Sequence, residues 1–368
     1  MGDGLERQRR EDSLGTCARW WTCASSFTLT TAHAPPGSIM TPILERLASH
    51  LRGVAHDPLL AIQRHSGFPL CLLPDDLPTN DARYWWTPTN VAVLCVSPNV
   101  TDEAALQRLA LAHMYGLEQI ARGLPLRAAT SEIDALRVSE FCLAGVALVR
   151  GYPGFAATHG ATVPYLPAEA AGHVASLGPA IASGSPEALM LPQFRMAAVL
   201  TLGGLPGPYE PEVVPWLRNR WPELAEHVAT ITGGSPLQAA NAAWKWTRDV
   251  PTTPPWVFAP AQEARVTRPS VKILGTRAGG VLATDKVNTK GAQFMPVALA
   301  KLAQDALRLR VMYEDHDRSR PPSALILDAR YHCHGDEHMV TVDVAAMSQV
   351  GEDRLARGGG FSPAMHLV

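Results

Sequence analysis

The sequence predicts an α+β fold, and three observations carry that prediction. Apolar residues recur at helical spacing in several segments of the N-terminal two thirds. A short apolar, β-branched run, Val91–Val96, is closed by the turn residues Ser97-Pro98-Asn99. Beyond the prolines Pro251, Pro254 and Pro255, strand-like runs surround a single helical pattern, the signature of a separate α+β unit.

Residues 1–39 combine a charged start, Trp20-Trp21 without period, a Ser/Thr-rich run and Pro35-Pro36-Gly37, and they read as a disordered tail. The folded part is expected from residue 40, where Thr41 is placed to cap a helix carrying Ile43, Leu44, Leu47 and Leu51 on one face. After the strand at Val91–Val96, Thr101 is the expected cap of a second helix. Asp102 and Glu103 suit the positive end of its dipole, and Ala105, Leu109, Ala112 and Leu117 mark its inward face. A very apolar helix is expected from about Ser131 to Val149, ended by Gly151-Tyr152-Pro153-Gly154. Residues 155–220 give few periodic signals apart from a helical piece at Phe194–Leu202. Leu224–Val228, the break Thr232-Gly233-Gly234, and Leu237–Trp246 opened by Ser235-Pro236 predict a helix, a tight turn and a helix. The C-terminal unit is expected to hold strands at Trp256–Ala259, Val271–Leu274, Ala324–Leu327 and Met339–Val344, with a helix at Pro296–Leu309. A flexible tail is expected over residues 351–368, including Gly358-Gly359-Gly360.

Composition narrows the function classes. The 32 Lys plus Arg nearly balance the 34 Asp plus Glu, giving a net charge of -2, so no overall basic field draws the chain onto nucleic acid and any DNA contact must be local. The apolar runs Val91–Val96 and Phe141–Val149 fall short of the roughly 20 residues a spanning helix needs, so no membrane partner is expected. The 6 cysteines are scattered and several lie in apolar runs, while Arg7, Arg9 and Arg10 are followed by acidic and polar residues rather than an apolar stretch. A reduced, cytoplasmic setting is the expectation.

The helix after the strand reads Arg108-Leu-Ala-Leu-Ala-His113-Met114-Tyr-Gly-Leu117, and the next reads Glu132-Ile-Asp-Ala135-Leu-Arg-Val-Ser-Glu-Phe-Cys-Leu-Ala. In order and spacing these segments resemble the two signature helices of the ImmA/IrrE family of zinc metallopeptidases, in which a strand and an Asn-containing turn lead into a His-Glu-Leu-Gly-His helix. The later layout is similar to the long IrrE type. That resemblance implies a zincin-like domain over 40–220, a helix-turn-helix-like segment over 221–250 and a GAF-like domain over 256–350. For active members it implies cleavage of a helix-turn-helix repressor after stress.

Zinc hydrolysis on such a helix needs two His one turn apart, a third ligand from another helix, and a Glu as general base for the metal-bound water. By the resemblance the first ligand is His113 and the third is Glu132. Met114 stands where the base belongs and Leu117 where the second His belongs. A thioether accepts no proton, and general acid/base help alone contributes roughly 10²- to 10⁴-fold. The expected function is that of a catalytically inactive homologue, a stress-response or transcription-regulating binding module with no cofactor. It would hold a repressor protein or a peptide in the vestigial cleft beside His113. Two alternatives stay open: an active zinc metallopeptidase completing its site with Glu140 or His159, and a DNA-binding transcription regulator.

For the third reading the expected contacts are Gln238, Asn241, Lys245 and Arg248 on the second helix of the pair. Glu118 follows His113 by five residues, about 140° round the helix, and is not expected to replace the missing base. The segment Tyr331-His332-Cys333-His334-Gly335-Asp336-Glu337-His338 is rich in metal-ligating types. It is expected to be a histidine-bearing hairpin turning at Gly335-Asp336, since no Cys-x-x-Cys spacing accompanies it.

Overall fold

The computed structural model describes residues 42–357, apart from 76, 78–80, 128–132, 161–167, 208, 210, 249–253, 255, 259–264, 287–292, 314–318 and 335. The expected disordered tail over 1–39 and the last residues of the expected C-terminal tail, 358–368, lie outside the described residues.

The described residues open with α1 (Pro42–Val54) and α2 (His56–Ser66), then β1 (Leu70–Pro74), β2 (Ala82–Trp86) and β3 (Ala92–Val96). Next come α3 (Glu103–Ala121), β4 (Leu126–Arg127) and α4 (Ile133–His159). Shorter helices follow: α5 (Ala168–Ala175), α6 (Leu177–Ala182), α7 (Pro186–Leu189), α8 (Pro192–Leu202) and α9 (Val213–Arg220). The expected helical pair is present as α10 (Pro222–Gly233) and α11 (Pro236–Arg248). The remainder is β5 (Trp256–Val257), β6 (Val271–Ile273), β7 (Arg277–Thr284), α12 (Pro296–Leu309), β8 (Val311–Met312), β9 (Ala324–His334), β10 (Glu337–Ala346) and α13 (Gln349–Ala356). The α+β class follows directly from this inventory.

Two four-stranded sheets organise the molecule. The first runs β2-β3-β1-β6, with β1 parallel to both β3 and β6 and β2 antiparallel at the edge; the second, β7-β10-β9-β8, is antiparallel throughout. The two-residue side-chain period of a strand sends alternate residues of the first sheet into different cores. Leu70, Leu72, Ala92, Leu94 and Val96 join the large helical core with Leu44, Leu47 and Leu51 of α1 and the α3 and α4 side chains. Cys71, Leu73, Val91, Val93 and Cys95 instead meet Leu325, Leu327 and Ala345 of the second sheet. The far face of the second sheet is covered by α12, through Leu299, Leu302, Ala303 and Ala306 against Ile326, Val340 and Val344. The result is four layers: helices, sheet, sheet, helix.

This layering changes the expected division at 251–255. Strand β6 pairs with β1, Leu70 opposite Val271, and β5 pairs with β4, Leu126 opposite Val257. Both strands expected to open the GAF-like unit therefore join sheets of the N-terminal part, and the second sheet starts only at β7. Likewise, residues expected in a flexible tail from 351 form most of α13, whose Ser348 hydroxyl accepts a hydrogen bond from the Gly351 amide and whose Gly351 lies flush against the Ser323 carbonyl.

The expected stop at Gly151–Gly154 is not a stop, because α4 runs through it to His159 with Pro153 inside. The reason is packing. A Cβ at Gly151 would lie 2.7 Å from the Tyr115 carbonyl carbon, so the glycine lets α4 and α3 cross backbone to backbone. Gly154 meets the Tyr115 ring in the same crossing. The chain leaves the helix at Gly160, with φ +90. Because α4 continues, its segment Phe141–His159 becomes the one described helix long and apolar enough to cross a membrane. Here it is packed among α3, α8, α10 and α11.

Candidate functional site

Helix α3 starts one residue later than expected. Asp102 is its cap, accepting from the Ala105 amide at 3.0 Å, and Thr101 precedes it. From Leu109 to Glu118 every residue is buried, because α3 lies between the first sheet and α4. An amphipathic stripe predicts one buried face; burial by a sheet on one side and helices on the others closes all of them.

His113 is 1% exposed. Its imidazole faces β2, with the ring centroid of Tyr84 at 5.2 Å. The Tyr84 ring lies over Gly116, where a Cβ would stand 3.4 Å from it, and its hydroxyl donates to the Ala144 carbonyl of α4 at 3.0 Å. The phenol thus reaches from the edge strand across α3 to α4, over the face where one helical turn separates His113 from Leu117. Neither ring nitrogen of His113 makes a well-formed hydrogen bond, although the Ala82 backbone is close enough to favour the protonated ring. Burial pushes its pKa down to about 4, against the opposing effect of the Ala82 backbone, so the imidazole is neutral at physiological pH. Tyr84 is pushed upward from its ordinary value by the same desolvation.

Met114 and Leu117 are both fully buried in the large core. The two positions that would supply base and second ligand are packing residues. Glu132 lies outside the described residues, as does the side chain of Glu140, although Glu140 falls on α4. His159 is placed elsewhere: its Nε2 is 3.4 Å from the Tyr115 hydroxyl and its ring packs on Phe155. Tyr115 follows His113 by two residues, about 200° round the helix, so the structure sets His159 on the opposite flank of α3 from His113. The carboxylate of Glu118 is engaged by Arg122 at 2.6 Å. Among the described residues no three His, Cys, Asp or Glu side chains converge on a point that could hold a metal. The expected cleft beside His113 is occupied by Tyr84, and closure of the layer by β2 is the physical reason.

The α10–α11 pair has the expected cap. Ser235 accepts from the Gln238 amide at 3.3 Å, and the Gln238 Oε1 accepts from the Ser235 amide at 2.8 Å, a reciprocal capping box. The four candidate DNA contacts do share one face of α11, opposite Ala239, Ala243 and Trp246 in the core. Yet Gln238 is used in the cap, Asn241 accepts from the Trp256 indole at 2.8 Å, and the Arg248 guanidinium sits 5.2 Å over the Trp244 ring. Lys245 is exposed on this face.

The histidine-rich segment is a hairpin, β9 paired with β10 from His334 opposite Glu337. His332 bonds the Thr341 hydroxyl at 2.7 Å, while Tyr331 bonds His338 at 2.6 Å. Sequence reasoning missed a second polar group, where the two sheets meet. Arg277 of β7 pairs with Asp343 of β10, both largely buried, and its guanidinium lies 5.1 Å from the Trp85 ring of β2. Asp328 stands directly opposite Asp343 and binds Arg330 at 2.5 Å. Charge neutralisation explains how Arg277, Asp343 and Asp328 sit beside an apolar interface, with the exposed Arg330 pairing Asp328 from its rim.

Tyr84 was also missed. The available signal was the aromatic run Arg83-Tyr84-Trp85-Trp86, whose alternation fits a half-buried strand. Comparison with protein families, with curated proteins and with solved structures finds no match for this chain.

Proposed function

We propose that this chain is a catalytically inactive protein of the ImmA/IrrE type, a cytoplasmic binding module in stress response or transcription control. The observation that carries the reading is Tyr84. Its ring covers the side of α3 where a metal and its water would have to stand, next to a buried imidazole without a well-formed hydrogen bond and two fully buried apolar side chains. The order strand, turn, helix, second helix, with Gly151 letting the two helices cross closely, further supports the resemblance. A hydrolytic centre needs an open coordination position reached by water. A repressor or peptide partner would then dock on the outer surface and not beside His113.

The test is metal content and hydrolysis together. Purified protein should contain no stoichiometric zinc, should gain none on titration with zinc, and should leave a casein or helix-turn-helix repressor substrate intact. One bound zinc per chain that disappears with His113→Ala, together with cleavage that disappears with the same change, overturns the proposal and supports the active peptidase.

A second reading, DNA binding, draws support from the shared helix face of Gln238, Asn241 and Lys245, all exposed, and the half-buried Arg248. It requires duplex binding that weakens steeply with salt and weakens further with Lys245→Ala. Binding that is salt-independent or unaffected by the substitution removes it.

A further inference from the structure

We propose that the surface formed by the last turn of α2, the approach to β6 and the start of β8 is a docking face for the phosphodiester backbone of a nucleic-acid duplex. Five cations meet there: the exposed Arg64, Arg265 and Arg268 and the half-buried Lys272 and Arg310. Hydrogen bonds and strand pairing gather them from three parts of the sequence. The Arg64 guanidinium donates to the carbonyl of Val266, between Arg265 and Arg268, at 3.5 Å. Beside it the Gln63 amide donates to the Ser270 hydroxyl at 3.1 Å, and the Ser270 backbone amide donates back to Gln63 at 3.0 Å. Lys272 stands opposite Cys71 in the pairing of β6 with β1, and Arg310 donates to the Ser66 carbonyl at 2.6 Å.

The patch has no counter-charge of its own. Among the described residues the ion pairs lie elsewhere, and none involves any of the five cations. Segments 56–72 and 265–272 together hold one carboxylate, Asp57, which sits at the far end of α2 beside His56. In a chain of net charge -2 this concentration is a local feature and not overall basicity. The carbonyl end of α2 by itself repels an anion. Here Arg310 holds its last carbonyl and the Gly67 amide closes on the Gln63 carbonyl, so that repulsion is covered.

Three features select the partner. Four of the five cations are arginines, whose planar forks take phosphate oxygens two at a time. The cations at 265, 268 and 272 follow one another over at most about 25 Å of chain, a track suited to a row of phosphates and not a closed pocket. The exposed large apolar side chains of the described residues all lie outside these segments. The patch therefore lacks the anchors of a protein interface, the wedge that enters a lipid surface and the platform on which single-stranded bases stack.

Fluorescence anisotropy of a labelled, mixed-sequence DNA duplex of about 30 base pairs, titrated with the full chain, tests the assignment. With about four to five phosphates neutralised, affinity should fall roughly 100- to 500-fold between about 50 and about 200 mM salt. Arg265→Gln combined with Arg268→Gln should make the slope of log affinity against log salt shallower by about 2. Arg218→Gln combined with Arg220→Gln removes the same charge from α9 and should leave the slope unchanged. Arginine modification by phenylglyoxal, mapped by mass on the unmodified protein, needs no variant: the duplex should shield Arg265 and Arg268 and leave Arg218 reactive. A salt slope that Lys245→Ala reduces and the Arg265, Arg268 pair leaves untouched assigns the binding to α11 and overturns the inference. So does the absence of duplex binding at about 50 mM salt, an equal effect of the two arginine pairs, a lack of shielding, or tighter binding of polyglutamate or phosphatidylserine vesicles than of the duplex.

Discussion

Replacing His113 by leucine should stabilise the protein at neutral pH and remove a defined part of its acid sensitivity. A buried polar group left without a hydrogen bond costs about 1–3 kcal/mol, and leucine fills a similar volume without that cost, so a gain of about 1–2 kcal/mol is expected. The pH effect has a fixed sign. The folded pKa of about 4 lies below the ordinary histidine value of about 6.5, so the folded state prefers the neutral ring. Stability from this group is complete above about pH 6.5 and is lost as pH falls toward 4, by roughly 3 kcal/mol in all. Between about pH 7.5 and about pH 5 the loss is about 2 kcal/mol. Urea unfolding followed by tryptophan fluorescence at both pH values, on both proteins, isolates the term, because carboxylates titrating in the same window cancel in the difference. The unmodified protein should lose about 2 kcal/mol more than His113→Leu on going to the lower pH. A variant that is less stable at pH 7.5, or an equal acid loss in the two proteins, would refute the account of an imidazole without a well-formed hydrogen bond.

Three further outcomes follow from the same packing. Tyr84→Ala should cost about 3–5 kcal/mol and make His113 reactive toward diethyl pyrocarbonate, whereas His113 in the parent should resist it; mass mapping of the modified histidine decides. Gly151→Ala should destabilise by about 1–3 kcal/mol despite the better helix propensity of alanine, since its Cβ meets the Tyr115 backbone at 2.7 Å. Gly172→Ala, with nothing within 4 Å, should instead gain up to about 1 kcal/mol, and the sign of the contrast in thermal melts is the check. Asp343→Asn should cost about 3 kcal/mol or more, because it leaves the Arg277 guanidinium at the seam between the sheets without its bidentate partner; chemical denaturation measures it.

The sequence by itself determined the elements whose information is local. The apolar stripe of α1, the turn after β3, the capped start of α11 and the hairpin at His334–Glu337 all follow from spacing and turn chemistry within a few residues. It also determined that a thioether, Met114, and an isobutyl group, Leu117, stand at the two positions where the proposed resemblance would place a general base and a second ligand. Only the tertiary structure decided what surrounds those groups. Gly151 and Pro153 read as a helix stop in isolation, but a crossing helix turns the glycine into a contact point and the chain continues. The pairing of β6 with β1 joins residues two hundred positions apart, a register no local pattern encodes. Whether His113 lines a cleft or sits sealed depended on Tyr84, brought from a different strand, because the fate of a buried side chain is set by neighbours in space and not in sequence.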